Sequence, residues 1–144
     1  MISAGLCFMG SSEDTDKLVT LVVVDDKSDI LFAHPSPDKA IVRGEHSEYM
    51  LNKIVDDINS LGYNRITFKT DQEIAMTSLQ GKVQKMREKP VVLENSPKGD
   101  SQSNGRVEKA VRDIEEQLRT MRSCLEADMG ARLPVNHPVT AWMV

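Results

Sequence analysis

The sequence predicts an α/β fold, a mixed β-sheet with helices covering its faces. Three observations carry this. Two runs of strand composition flank Asp25-Asp26-Lys27-Ser28-Asp29, whose turn chemistry closes an antiparallel hairpin. Three stretches repeat apolar residues at the i, i+3, i+4 spacing of one buried helical face. Short apolar runs alternate with those helices in the order β-β-β-α-β-α-β-α, which closes as one mixed sheet.

Taken in order, residues 6–9 (LCFM) read as a first strand and residues 10–17 as a polar, acidic segment. Residues 18–24 are Val-rich, the composition of a buried strand. Residues 30–33 return as its hairpin partner, and residues 34–40, with Pro35 and Pro37, read as a loop or irregular edge strand. A helix is predicted over residues 45–61, with Met50, Leu51, Ile54, Val55, Ile58 and Leu61 on one face and Gly62 as its stop. Residues 65–70 alternate as a strand, with Ile66 and Phe68 on one side and Asp71 at the carboxyl end. Ile74, Met76, Leu79, Val83 and Met86 mark a second helix, ended by Pro90. Residues 91–93 form another strand. After a loop punctuated by Pro97, Gly99 and Gly105 comes the longest helix, its stripe running from Val107 through Ala110, Val111, Ile114, Leu118 and Met121 to Leu125. Ser103 or Asn104 is placed to cap it. His137-Pro138 starts a final partial helix, with Trp142 expected as a packing anchor.

The chain has 144 residues, 40% hydrophobic and 28% charged, enough for one domain with a real core. Its net charge of −4 argues against a general polyanion binder, so any nucleic-acid contact must come from local patches. Cys7 and Cys124 are too scattered for a disulfide framework, which points to a reducing, intracellular setting. His34, His46 and His137 stand alone, so no zinc site is readable. The longest apolar run is far too short to span a bilayer. Both ends read as abrupt, so residues 1–144 are expected to be a single core domain, truncated at both ends, from a longer polyprotein.

Two acids stand out by position. Asp71 ends a strand, and sites in open α/β sheets form at the carboxyl ends of strands. Glu108 lies in the first turn of the long helix, just off its apolar stripe. An acid there complements the helix dipole, and that alone explains it. It could equally be a metal ligand held on a rigid helix, and with Asp71 it would suit Mg²⁺ or Mn²⁺, which take oxygen ligands. A two-metal site, with ions about 3.5–4 Å apart, usually takes a third acid to bridge them.

The stretch ITFKTDQE (residues 66–73), followed by LENSPKGDSQSNGRVE (residues 93–108), resembles the catalytic core of retroviral-type integrases, in the version carried by LTR retrotransposons. The hairpin LVVVDDKSDILFAH and the segment CFMG resemble that family's early strands, so the likeness covers nearly the whole chain. Its strongest parts are the run from Gln102 to Glu108 and the strand-end Asp71. The resemblance implies a ribonuclease-H-like fold, a five-stranded mixed sheet flanked by helices. It implies Mg²⁺- or Mn²⁺-dependent trimming of DNA 3′ ends and strand transfer, with Asp71 and Glu108 as second and third members of a D-D-E triad. The first member belongs two residues before Cys7, where this chain has Gly5. Asp14 and Asp16 lie in a loop that is a poor place for a pre-organised ligand. The resemblance thus implies an integrase catalytic core, either still active or inactive for want of that acid, with a non-catalytic DNA-binding or dimerisation module as the alternative. A one-metal nuclease is a third.

Lys98, Gln102, Asn104, Arg106, Lys109 and Arg112 surround Glu108. As the resemblance implies, they would contact DNA, the cations neutralising phosphates. Read without it, Lys109 and Arg112 are a solvated helix face paired with Glu115 and Glu116, each pair worth about 0.2–0.5 kcal/mol. DNA, a homodimer or higher oligomer, no membrane, and a nuclear location when acting on DNA complete the expectation.

Overall fold

A computed structural model describes residues 1–10, 17–36, 47–97, 105–135 and 137–144. Five strands, β1 (Ile2–Met9), β2 (Leu18–Asp25), β3 (Leu31–Ser36), β4 (Ile66–Thr70) and β5 (Val91–Asn95), form one sheet in the order β3-β2-β1-β4-β5. β1, β2 and β3 pair antiparallel, while β4 lies parallel to both β1 and β5. Helices α1 (Ser47–Ser60), α2 (Ile74–Met86), α3 (Gly105–Met129) and α4 (Pro138–Trp142) complete the described elements. This is the mixed sheet flanked by helices that the element order predicts.

Alternation along the strands divides the core in two. Ile2, Ala4 and Leu6 of β1, with Leu21, Val23 and Phe68, pack against Ile54 and Ile58 of α1 and Leu79 and Val83 of α2. Cys7 and Met9, with Val22 and Val24, pack on the opposite face against Val107, Ala110 and Leu118 of α3. Full burial of a side chain such as Phe68 or Ile54 stabilises the fold by about 1.5–3 kcal/mol.

Several bounds differ from the sequence reading. β1 begins at Ile2 rather than residue 6, because Ile2 and Ala4 continue its apolar alternation across Ser3. β3 runs on through Pro35 as an edge strand. His34 on β3 pairs with Asp57 of α1 at 2.5 Å, tying that edge to the helix. α3 continues to Met129, a turn past the last residue of its predicted stripe. α4 opens where expected, His137 Nδ1 accepting from the Val139 amide, but Trp142 is 86% exposed and anchors nothing in the core.

Buried polar side chains knit the loops. Arg87 donates to the Tyr63 carbonyl at 2.6 Å, to Asn59 Oδ1 at 3.0 Å and to the Lys89 and Pro90 carbonyls at 3.2 Å each. It thereby joins the end of α1 to the segments entering β4 and β5. Gly62, at φ +76°, lets the chain leave α1 in the left-handed region, where a β-carbon is strained. At the end of β2 the buried Asp25 carboxylate accepts from the Ser28 and Tyr63 hydroxyls, each at 2.6 Å, and from the Lys27 and Ser28 amides. Burial pushes this carboxyl up, but the hydrogen bonds outweigh it and hold it below the ordinary aspartate value.

Candidate acid cleft between β1, β4 and α3

Register places the cleft. In the parallel pair β1–β4, Ser3 lies beside Lys69. Beyond that pair, Gly5 on β1 and Asp71 just after β4 line the same opening. Asp71 follows the last residue of β4, and its Oδ1 accepts from the Glu73 amide at 3.1 Å, turning the chain into α2. The Ser96 amide donates to the Thr70 carbonyl, and Gln72 Nε2 donates to the Ser96 carbonyl, so the loop after β5 is fixed against the same corner. Across β1 comes the first turn of α3. Gly5, Asp71, Val107, Glu108, Val111 and Arg112 then line one open cleft of about 480 Å³.

Gly5 is what lets α3 come this close. A β-carbon at residue 5 would lie 3.0 Å from Val107 Cγ2, closer than ordinary van der Waals contact. Val107 is itself buried in the α3-side core. The position where an acid would project from β1 is therefore held by a methyl group of the helix.

No family model matches the sequence, and no curated protein matches it. Among solved structures, the chain is similar to the catalytic core domain of BIV integrase, at 16% identity with a TM-score of 0.51, covering 84% of this chain and 71% of that one. It is also similar to a chain of the simian T-cell lymphotropic virus intasome in complex with the PP2A regulatory subunit B56 gamma. There the identity is 16% and the TM-score 0.58, covering 99% of this chain and 47% of that one. The fold is that of a retroviral integrase catalytic core. This chain spans about half the length of the intasome chain it matches.

Within this integrase-type fold the expected residues divide into three groups. Gly5, Asp71, Glu108 and Arg112 meet in the cleft. Arg106 is turned away from it, onto the β2–β3 turn, where it pairs with the Asp29 carboxylate and donates to the Asp26 carbonyl at 3.3 Å. Lys98, Gln102 and Asn104, with Ser103, Asp14 and Asp16, lie outside the described residues. Lys109 and Arg112 are exposed, and neither pairs with Glu115 or Glu116 among the described residues. Glu115 instead accepts from the Cys7 thiol at 3.2 Å. Burial, then the hydrogen bond and charge of Glu115, push that thiol up to about 12, so it is no nucleophile.

Sequence reasoning missed Lys69. It is 7% exposed, shares its sheet face with Asp71 by alternation, and pairs with Glu94 at 3.6 Å. The odd-numbered register of Arg65, Thr67, Lys69 and Asp71 was the signal that could have found it.

The donor set decides which metal would fit. Two carboxylates beside open water suit one Mg²⁺ or Mn²⁺ that keeps several waters. Among the described residues, no group of three His, Cys, Asp or Glu side chains could hold a metal ion. Asp71 and Glu108 are the carboxylates that line this cleft among the described residues.

Proposed function

We propose that this chain is an integrase-type core from a retrotransposon polyprotein, a single domain that holds DNA at the Asp71–Glu108 cleft and has lost two-metal strand transfer. One observation carries the reading. Gly5 stands where the first acid of the triad belongs, and Val107 fills the space above it. A lost acid leaves no oxygen to bridge two ions, and the closer helix leaves no room for its return without a neighbour giving way.

DNA as the partner is supported by cations that make no ion pair among the described residues. Arg112 lines the cleft, and Lys109 directly follows Glu108 near the start of α3. Both are exposed and free of ion pairs among the described residues. Lys98, Gln102 and Asn104, which lie outside the described residues, are included as DNA contacts on the family resemblance alone. Arg106 acts differently in this reading, fixing the start of α3 to the β2–β3 turn. A homodimer or higher oligomer is supported by the neighbour that is an intasome, and no helix among the described residues is long and apolar enough to cross a membrane. A nuclear place of action follows only from DNA as the partner.

A single Mg²⁺ or Mn²⁺ at Asp71 and Glu108 would offset their charge against an incoming phosphate. The chain's own residues do the rest: Arg112 and Lys109 draw the backbone in, and the Asp71 turn fixes the corner where β4 passes into α2.

The test compares the chain with Glu108→Gln, and with Gly5→Asp alone and combined with Val107→Ala, in duplex binding and in Mn²⁺-dependent strand transfer. The expected result is binding without strand transfer in the parent, and activity only where an acid at residue 5 is given room. Strand transfer by the parent that Glu108→Gln removes would overturn the loss of chemistry. A parent that binds no DNA would overturn the choice of partner.

A further inference from the structure

At the other end of β4 from the acid cleft lies a second opening, of about 440 Å³, which nothing above assigns. Lys27, Tyr63, Arg65, Thr67 and Val92 are among its lining residues, and none of the residues that line it carries a carboxylate. Lys27 and Arg65 are exposed, and neither makes an ion pair among the described residues. In a chain of net charge −4, two unpaired cations facing one opening are a local reversal of sign.

The site is held in place rather than loosely strung. The Tyr63 hydroxyl donates to the buried Asp25 carboxylate at 2.6 Å, which fixes the ring, and Lys27 Nζ stands 5.6 Å from the centre of that ring. Arg65 directly precedes β4 and Thr67 is within it. Thr67 pairs in register with Val92 on the α3 side of the sheet, while Ile2 and Ile66, which face the α1/α2 core, also line the opening, so it lies at the strand ends between the two faces. From Ile66 to Asp71 the strand advances about 17 Å.

We propose that this opening is a second phosphate site, taking a phosphodiester group of the same nucleic acid that the acid cleft holds. The inference rests on the DNA-binding reading above. A guanidinium fork, an ammonium and the Thr67 hydroxyl are donors that suit a phosphate. The opening is a wide mouth at the sheet edge, whereas small-molecule sites enclose about 70–90% of their ligand. A polynucleotide backbone crossing the edge needs contact on one side only.

The experiment measures duplex DNA affinity by fluorescence anisotropy between about 50 and about 200 mM salt. It compares the parent with Lys27→Gln/Arg65→Gln, and with Arg65→Lys as the charge-conserving control. Both side chains are exposed, and circular dichroism verifies that each variant keeps its fold. Each lost phosphate contact lowers the slope of log affinity against log salt by about 0.9, so two lower it by about 1.8. The parent-to-variant affinity ratio should then fall about twelvefold across that range, with Arg65→Lys retaining the parent slope. An unchanged slope in the double variant overturns the proposal while leaving DNA binding at the cleft standing. A parent that binds no duplex sinks both readings together. Inorganic phosphate at constant ionic strength gives the last arm. Competition with DNA in the parent and not in the double variant is the expected result, since both ligands then share the site. Phosphate binding that leaves DNA affinity unchanged would mean that the site takes free phosphate and that the backbone assignment is wrong.

Discussion

Asp25 shows how one residue ties stability to pH. Its carboxyl lies below the ordinary value because four donors favour the ionised form over the cost of burial. A group lowered on folding contributes fully above its unfolded pKa of about 3.9, and that contribution is lost as pH falls through the folded value. Asp25→Asn should therefore flatten the acid limb of stability below about pH 4, read by urea denaturation across pH. An acid limb unchanged by the substitution would assign it to other carboxylates. Arg87 works through geometry instead of titration. Its fork reaches three carbonyls and the Asn59 amide oxygen, a set that an ammonium cannot span. Arg87→Lys should cost about 2–4 kcal/mol at neutral pH, since buried carbonyls left unpaired cost about 1–3 kcal/mol each. A loss under about 0.5 kcal/mol, the range of neutral surface changes, would show that water replaces the fork.

At the scale of elements, the contact of α3 with β1 sets the form of the cleft. Gly5 and Val107 behave as one unit, because space at one is taken by the other. Gly5→Ala should destabilise by about 1–3 kcal/mol through overpacking. Adding Val107→Ala should recover part of that loss, giving a coupling of about 0.5–3 kcal/mol in a double-mutant cycle. Additive effects would mean that the helix shifts freely and that the space above Gly5 is not fixed. By the same contact, any larger side chain placed at residue 5 requires Val107 to give way.

For the whole molecule, one sheet separates two cores, α1 and α2 on one face and α3 on the other. Trp142, the single tryptophan, stands 86% exposed on α4. If the proposed oligomer uses this end of the molecule, Trp142 emission should shift to the blue as protein concentration rises, in step with mass by light scattering. Growth in mass with unchanged emission would move the interface elsewhere.

Much of this was legible in the chain itself. Periodicity located the helices, because a buried helical face and a buried strand repeat differently. Gly62 and His137-Pro138 marked an end and a start, and Asp71 fell at a strand's carboxyl end. Two runs carried the likeness to integrase cores, and the solved structures bear out the fold. Other features are decided only when distant segments meet. The parallel pairing of β1 and β4 brings Gly5 and Asp71 to one opening, and α3 brings Val107 onto the glycine. Arg106 belongs to a turn some eighty positions away, and Lys27 shares an opening with Arg65. The physical reason is that local sequence fixes backbone preference and which face is apolar, whereas the spacing of charges across a site depends on register and helix packing, which no short stretch encodes alone.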